Sequence, residues 1–418
     1  MKTYNVVELF SGIGSQAKAL KNIGTDISVL NTCEWNIHSC MAYEKIHISN
    51  AEQVMFDGTK DELVELLLKA GVSNDGKETM NRLALQGIKE DALRAIYAAI
   101  VKTKNLVDIS RVHGEDLDPF IDILTYSFPC QDLSFVGAFH GYQRGIDRDA
   151  NNRSCLLWQV ERILLERKDQ DLYLPHFLIM ENVPALNSSR HRKNFEEWQQ
   201  QLVNLGYYNK QYVLNAKDFG IPQNRERLFM ISVLTNGDAD IEKDVEDYFS
   251  NHSLDTEEYR QELNIPERKL SEFLKTDYSR SDYRDEAIES QPNDTVSRRK
   301  IWDENVQLTD TQGVVRDDVV TSTLTTKQDR HPNSGNLWVD FNNGKANFRY
   351  LTPRECMLLM GFSEEDYENI MHGNISIKAN ASMFTRDNMI KMAGNSIAVN
   401  VLEYIFRQII ALDRILYI

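Results

Sequence analysis

Apolar and polar positions along the first two-thirds of the chain fall into short runs that alternate between two periods. Residues 6–10 form an apolar run ending in Ser11-Gly12-Ile13-Gly14, and helix-compatible sequence follows through Ala19 and Leu20. Apolar runs at 28–33, 122–128 and 177–180 end directly in polar or reactive residues, and another occupies 228–234. Strands alternating with helical stretches predict an α/β fold with a doubly wound, mostly parallel sheet. Ligands bind such sheets at the carboxyl ends of the strands, where the unusual residues of this chain cluster.

The rhythm breaks twice. Between 42 and 107 the sequence favours helix, notably at 61–70 and 88–101, and is read as an insertion on the scaffold. From 236 to 348 hydrophobic density falls, charge rises, and short β-prone pieces appear at 319–326 and 336–340. This predicts a second, smaller domain of irregular, β-rich character. Residues 396–418 are apolar at helical spacing (Ile397, Val401, Ile405, Ile409) and are expected to pack back on the sheet.

Composition adds limits. At 418 residues the chain has room for one large domain and a smaller one. A hydrophobic fraction of 42% and a charged fraction of 26% match an ordinary globular protein. No apolar run of about 18 residues and no basic-then-apolar leader is present, so neither membrane insertion nor export is expected. Five cysteines without C-x-x-C spacing argue against a disulfide framework or cysteine zinc site and fit a reducing cytosol. The charge of −16, from 63 acidic and 47 basic residues, argues against a nucleic-acid partner if taken alone. Much of the acid, however, lies between 238 and 289. Basic clusters occur elsewhere, at 190–193, Arg225/Arg227, 298–300 and 327–331. An acidic outer surface around a DNA-facing cleft is compatible with this distribution.

Several constellations carry chemistry. A Gly12-x-Gly14 turn after a strand lets backbone approach a nucleotide-type ligand at a helix N-terminus. Glu34, ending the next strand, is placed to accept from ribose hydroxyls, and Trp35 to pack on an adenine face. Phe128-Pro129-Cys130-Gln131 puts a thiol past a strand end, before a loop studded with Gly137, Gly141 and Gly145; thiolate is a strong nucleophile. Met180-Glu181-Asn182-Val183 puts a carboxyl at the next strand end, a proton donor beside a nucleophile. Gln223, Arg225 and Arg227 alternate before the run at 228–234. Taken singly, each has a plain reading. The turn is also a simple tight turn, and Glu34-Trp35 a surface carboxylate beside a core aromatic. Cys130 is also an inert loop thiol, Glu181 a capping carboxylate and Gln223–Arg227 a solvated turn.

Together and in this order, these elements closely resemble the cytosine-C5 DNA methyltransferase family of bacterial restriction-modification systems, over residues 6–403 apart from the insertion and the second domain. Glu8-Leu9-Phe10-Ser11-Gly12-Ile13-Gly14 looks like the family's first cofactor motif, departing at Ser15, where a further glycine is usual. Pro129-Cys130-Gln131 resembles the catalytic motif, Glu181-Asn182-Val183 the glutamate motif and Gln223–Arg227 the Q-x-R-x-R motif. Arg354-Glu355-Cys356 through Met360-Gly361-Phe362 looks like the penultimate motif, and Gly394-Asn395-Ser396-Ile397 with Val399 the last.

The resemblance implies a Rossmann-like scaffold that binds S-adenosyl-L-methionine and releases S-adenosyl-L-homocysteine. The implied contacts are Phe10, Ser11, Gly12, Ile13, Gly14, Glu34, Trp35, Asp108, Ile109, Pro129, Leu156, Asn395 and Ser396. Cys130 would attack C6 of a cytosine flipped out of double-stranded DNA, with Glu181 at N3, Arg227 near O2, and Arg225 and Gln223 beside them; no metal is required. Thr323-Leu324 resembles the Thr-Leu pair of a target-recognition domain, with Lys327 and Arg330 as further DNA contacts. The expected organisation is a catalytic domain over 1–235, with 42–107 inserted, completed by 389–418. A target-recognition domain covers 236–348 and a motif-bearing hinge 349–388. The expected setting is a cytoplasmic monomer acting on DNA, with a cognate restriction endonuclease as functional partner.

Three other readings compete with this resemblance. A tRNA cytosine-C5 methyltransferase usually carries a short second domain and a doubled proline before its cysteine, unlike Phe128-Pro129 here. A non-catalytic regulator on the same scaffold is opposed by the intact Cys130, Glu181 and Arg227. A dinucleotide-dependent oxidoreductase explains the glycine turn and Glu34, but not the Pro-Cys and Glu-Asn-Val pieces.

Overall fold

The computed structural model describes residues 2–48, 54–129, 146–148 and 153–416. Cys130 and the glycines at 137, 141 and 145 lie outside the described residues.

Six strands make one sheet in the spatial order β2-β1-β3-β4-β6-β5. They are β1 (Tyr4–Leu9), β2 (Ile27–Cys33), β3 (Ile123–Tyr126), β4 (Phe177–Asn182), β5 (Tyr207–Asn215) and β6 (Glu226–Leu234). β1 runs parallel to β2 and β3, and β3 parallel to β4. β6 runs antiparallel to β4, pairing Glu181 with Phe229 and Asn182 with Leu228. β3 is buried throughout and β4 nearly so. Strands covered on both faces read as continuous apolar runs, which is why these were visible in the sequence. β5 was not. Its Asn209, Lys210 and Gln211 interrupt the apolar set, and at the end of the sheet only Tyr207, Tyr212, Leu214 and Asn215 are buried.

The expected insertion is helical, with helices Lys60–Ala70, Arg82–Gln86 and Glu90–Lys102. The first starts at a capping box between Thr59 and Glu62 and ends at Gly71 in left-handed geometry, φ 81°. The third buries Ala92, Leu93, Ile96 and Ala99, positions i, i+1, i+4 and i+7, which share one face of an amphipathic helix. After it the chain returns to the sheet edge, where Asn105 bridges to Thr32.

The chain forms two compact units. The first comprises 1–214, 226–263 and 402–418, and the second 215–225 and 264–401. These divisions differ from the boundaries that composition suggested. In particular, helix Arg386–Asn395 lies in the second unit, while most of the terminal helix Val399–Leu416 lies in the first.

The stretch 236–348 is irregular, as expected, but carries more helix than its hydropathy suggests. Ala239–Asn251, Glu257–Glu262, Ser281–Glu289 and Val296–Glu304 are helical. Their buried residues number two, none, one and one, so little periodic apolar signal exists to read. Of the β-prone pieces, 336–340 yields β7 (Asn336–Trp338), which pairs antiparallel with β8 (Phe348–Tyr350). The piece at 319–326 contributes only the isolated bridge between Thr321 and Gln223. The second unit is held by a small cluster of Ile301, Ala346, Phe348 and Tyr350, and by a fully buried ion pair, Arg349 Nη1 to Glu355 Oε2 at 2.7 Å.

Candidate active site

The turn after β1 is built from backbone conformations that side chains disfavour. Phe10, Gly12 and Gly14 have φ values of 58°, 55° and 81°. For a non-glycine residue such as Phe10 left-handed geometry costs about 1–2 kcal/mol, so neighbouring bonds must hold it. The Ser11 amide donates to Cys33 at 3.2 Å and the Gly14 amide to Ser11 at 2.9 Å. The Gly12 amide donates to Glu34 Oε2 at 3.1 Å, joining the two predicted cofactor elements directly. Ile13 is buried, as is Ser11.

Glu34 is braced from the insertion. Its backbone N–H donates to Asn105 Oδ1 at 2.9 Å and its carbonyl accepts from Asn105 Nδ2 at 2.8 Å. Half-buried Trp35 accepts the Ser73 amide at 2.7 Å, so two points of the insertion grip this stretch. Asp108 accepts from the Ser110 amide and hydroxyl through Oδ1 and pairs with Arg111 Nε at 3.1 Å. Burial pushes the Cys33 thiol well above its ordinary value, and the Glu34 and Asp108 carboxylates push it further, so both acids flank one point. Ile109 is buried in the core.

A second group forms at the ends of β3 and β4. Glu181 Oε1 lies 3.1 Å from Arg227 Nε, both partly buried. The pair exists because β6 runs backwards and brings its first residues to the carboxyl end of β4. Asn182 Nδ2 donates to the Phe128 carbonyl at 3.1 Å, and Ser154 Oγ to the Pro129 carbonyl at 2.8 Å. These bonds fix the backbone that leads into Cys130. Leu156 is half-buried and packs on the main core cluster. Arg148 stacks 3.7 Å over the Trp158 ring while pairing with Glu161 and Glu197.

Gln223 and Arg225 belong to the second unit and Arg227 to the first. Within the second unit, Arg225 donates to the carbonyls of Leu324 (2.9 Å), Gly394 (3.1 Å) and Ser396 (2.7 Å). Gln223 donates to the Leu359 carbonyl and accepts the Leu324 amide. Thr323 Oγ1 donates to the Asn224 carbonyl, and Leu324 is buried. These groups knit three segments together, whereas Lys327, Arg330 and Asn395 are exposed. Ser396 is buried, its hydroxyl bonded to the Met392 carbonyl.

The family profile described as "C-5 cytosine-specific DNA methylase" matches residues 68–411. The chain belongs to this family. It is 31% identical to "Orphan methyltransferase M.SssI" of Spiroplasma monobiae over 98% of this chain and 97% of that protein. It is 32% identical to "Type II methyltransferase M2.ScrFI" of Lactococcus lactis subsp. cremoris, over 97% and 98%. In fold it resembles the S. pombe Dnmt2 methyltransferase, with TM-score 0.57, 19% identity and full coverage of both chains. The Entamoeba histolytica methyltransferase EhMeth is similar, with TM-score 0.55, 17% identity and coverage of 98% and 99%. This cytosine-C5 DNA methylase is therefore a DNA (cytosine-5-)-methyltransferase dependent on S-adenosylmethionine.

The motifs of the methylase did not expose everything that shapes its site. Asn105 and Ser154, through their side chains, and Ser73, through its amide, bond to backbone atoms of the site, and no residue pattern displays such partners. Among the described residues no group of three or more His, Cys, Asp or Glu side chains is arranged to hold a metal ion. No described helix is long and apolar enough to cross a membrane.

Proposed function

We propose that this methylase modifies a flipped-out cytosine in a specific double-stranded DNA site through a covalent bond from Cys130 to C6. The observation that carries the reading is the Glu181–Arg227 pair at the carboxyl end of β4, with Asn182 holding the Phe128 carbonyl beside it. Cys130 adds to C6 as thiolate. The electron pair pushed into the ring is met by Glu181 at N3 and by the Arg227 charge near O2, leaving C5 nucleophilic. When bound, S-adenosylmethionine supplies the methyl group as an electrophile, leaving S-adenosylhomocysteine. Once C5 is methylated, loss of its proton returns the electron pair, breaks the C6–S bond and frees the Cys130 thiolate. No step calls on a metal.

Other thiols fit the nucleophile's role poorly. Burial raises those of Cys33, Cys40 (to about 12) and Cys356, and Cys155 donates to the Asp147 carbonyl. The first-unit residues present fit the cofactor. Gly12 has an open face where a Cβ would meet nothing within 4 Å among the described residues, Glu34 can take ribose hydroxyls, and Trp35 can cover adenine. Phe10, Ser11, Ile13, Gly14, Asp108, Ile109, Pro129, Leu156, Asn395 and Ser396 complete the proposed set. Gln223 and Arg225 serve as positioning residues, and Lys327 and Arg330 as DNA contacts of the second unit.

We infer a monomer working on cytoplasmic DNA. A partner endonuclease accords with the relative named a type II methyltransferase, whereas the other relative is named an orphan.

The test uses DNA containing 5-fluorocytosine at the target. Fluorine cannot leave as a proton does, so elimination stalls and a protein–DNA adduct accumulates in the presence of S-adenosylmethionine. Cys130→Ser should form none; an adduct with that variant would overturn the assignment.

A further inference from the structure

If the Phe10–Gly14 turn is the cofactor seat, something must hold its unfavourable backbone from beneath. The two glycines differ sharply in what surrounds them. At Gly12 an added Cβ would meet nothing within 4 Å among the described residues, whereas at Gly14 it would overlap His47 Nε2 and lie 2.6 Å from Tyr43 Cε2. The turn therefore has an open side and a packed side, and two rings of helix Ile37–His47 form the packed one. His47 Nε2 lies 3.0 Å from the Ile13 carbonyl, which can only accept, so Nε2 carries the proton in that contact. The Tyr43 ring is tilted against His47 with centroids 4.5 Å apart, and its hydroxyl donates to Glu8 Oε2 at 2.5 Å.

Glu8 closes the arrangement. It is fully buried in β1, and its Oε1 accepts the Ala17 amide at 2.8 Å. Ala17 is the third residue of helix Ser15–Asn22, whose N-cap is Gly14. A glycine cap has no side chain to satisfy the free amides of the first turn, and Glu8 satisfies one from the strand below. The same carboxylate thus anchors the helix start and, through Tyr43, the ring pair under Ile13 and Gly14.

We propose that Glu8, Tyr43 and His47 are positioning residues for S-adenosylmethionine, a bracket buried at Glu8 and Tyr43 and half-buried at His47 that fixes Ile13 and Gly14 so that the open face of Gly12 meets the ligand. This inference rests on reading the turn as the cofactor seat. None of the three side chains touches the ligand in it; each acts through turn or helix backbone.

Calorimetry with S-adenosylhomocysteine and steady-state kinetics on the full chain test it. Tyr43→Phe and His47→Leu should each weaken S-adenosylhomocysteine binding and raise KM for S-adenosylmethionine about tenfold, the effect of losing one hydrogen bond. kcat and KM for DNA should change less than about twofold. His47→Gln, whose amide nitrogen can still donate to Ile13, should restore most of the affinity. Tyr43→Phe removes a single oxygen and keeps the ring, so it covers the case in which His47→Leu fails to fold. Unchanged binding in both variants, or equal losses in kcat and DNA affinity, would overturn the bracket. Gly12→Val separates the two readings, because its side chain fills the open face. If Gly12→Val binds S-adenosylhomocysteine normally, the turn is not the seat and the underlying reading fails. If it abolishes binding while Tyr43→Phe and His47→Leu bind as wild type, only the bracket fails.

Discussion

Glu34 makes two bonds with one carboxylate, Oε2 accepting the Gly12 amide at 3.1 Å and Oε1 the Asn36 amide at 2.7 Å. Its orientation is therefore set before any ligand arrives, which lowers the cost of binding. Glu34→Ala should weaken S-adenosylmethionine binding by about 1–3 kcal/mol, with DNA affinity nearly unchanged. Equal cofactor affinity by calorimetry would remove Glu34 from the pocket. Glu8 shows the opposite situation, a carboxyl inside the core. Burial pushes it up to about 7, opposed by the bonds from Tyr43 and Ala17 and by the Lys21 charge. In the unfolded chain it titrates near 4.5, so between those values the folded state holds more protons and loses stability as pH rises. Against Glu8→Gln, wild type should lose relative stability from about pH 4.5 to pH 7 and level off above, as read by urea unfolding at each pH. A constant difference would show that Glu8 does not titrate there. Glu34 was legible because it ends a strand beside a tryptophan. The role of Glu8 was not, since nothing in Val7-Glu8-Leu9 announces that its partners are Tyr43 and Ala17.

At the scale of elements, β1, β3 and β4 were readable because their apolar runs are buried almost throughout, and β2, at the sheet edge, because its run stays largely apolar. β5 and the helices between 239 and 304 were not, because an edge strand and thinly buried helices leave little periodic signal. The string Gln223-Asn224-Arg225-Glu226-Arg227 shows a different limit. Alternation in sequence suggested one shared face, yet Arg225 belongs to the second unit and Arg227 is the second residue of β6 in the first. Their variants should therefore fail differently. Arg225→Ala leaves the carbonyls of Leu324, Gly394 and Ser396 without their shared charged donor, at a cost of about 3 kcal/mol or more. Arg227→Ala loses one partly exposed ion pair, worth about 1 kcal/mol or less, but should abolish most methyl transfer. Chemical denaturation and methylation assays on both variants decide this. Wild-type stability of Arg225→Ala would show that the loop is not pinned as described.

At the scale of the molecule, −16 net charge on a protein that acts on a polyanion requires local basic surface. Exposed Lys327 and Arg330 of the second unit are proposed to supply part of it. A phosphate contact positions without reading sequence. Lys327→Ala should thus weaken all DNA sequences alike and lower the salt slope of binding by about one unit. Selective loss on one sequence would instead mark Lys327 as a base reader. Which site the enzyme reads was never legible: side chains on an irregular segment follow no positional code, and Leu324, offered by the sequence as a recognition residue, is buried.

The reversed direction of β6 also decides where this protein can carry cargo. Val233 pairs with Phe177 at one end of the sheet, and Phe229 with Glu181 at the other. A polypeptide grafted at the exposed turn of Asn236 and Gly237 would leave from the end of the sheet remote from Glu181. A graft ahead of Glu226 would emerge into the reactive edge itself. Fusions meant to aim methylation at a chosen locus have their attachment point on the far side of that reversed strand.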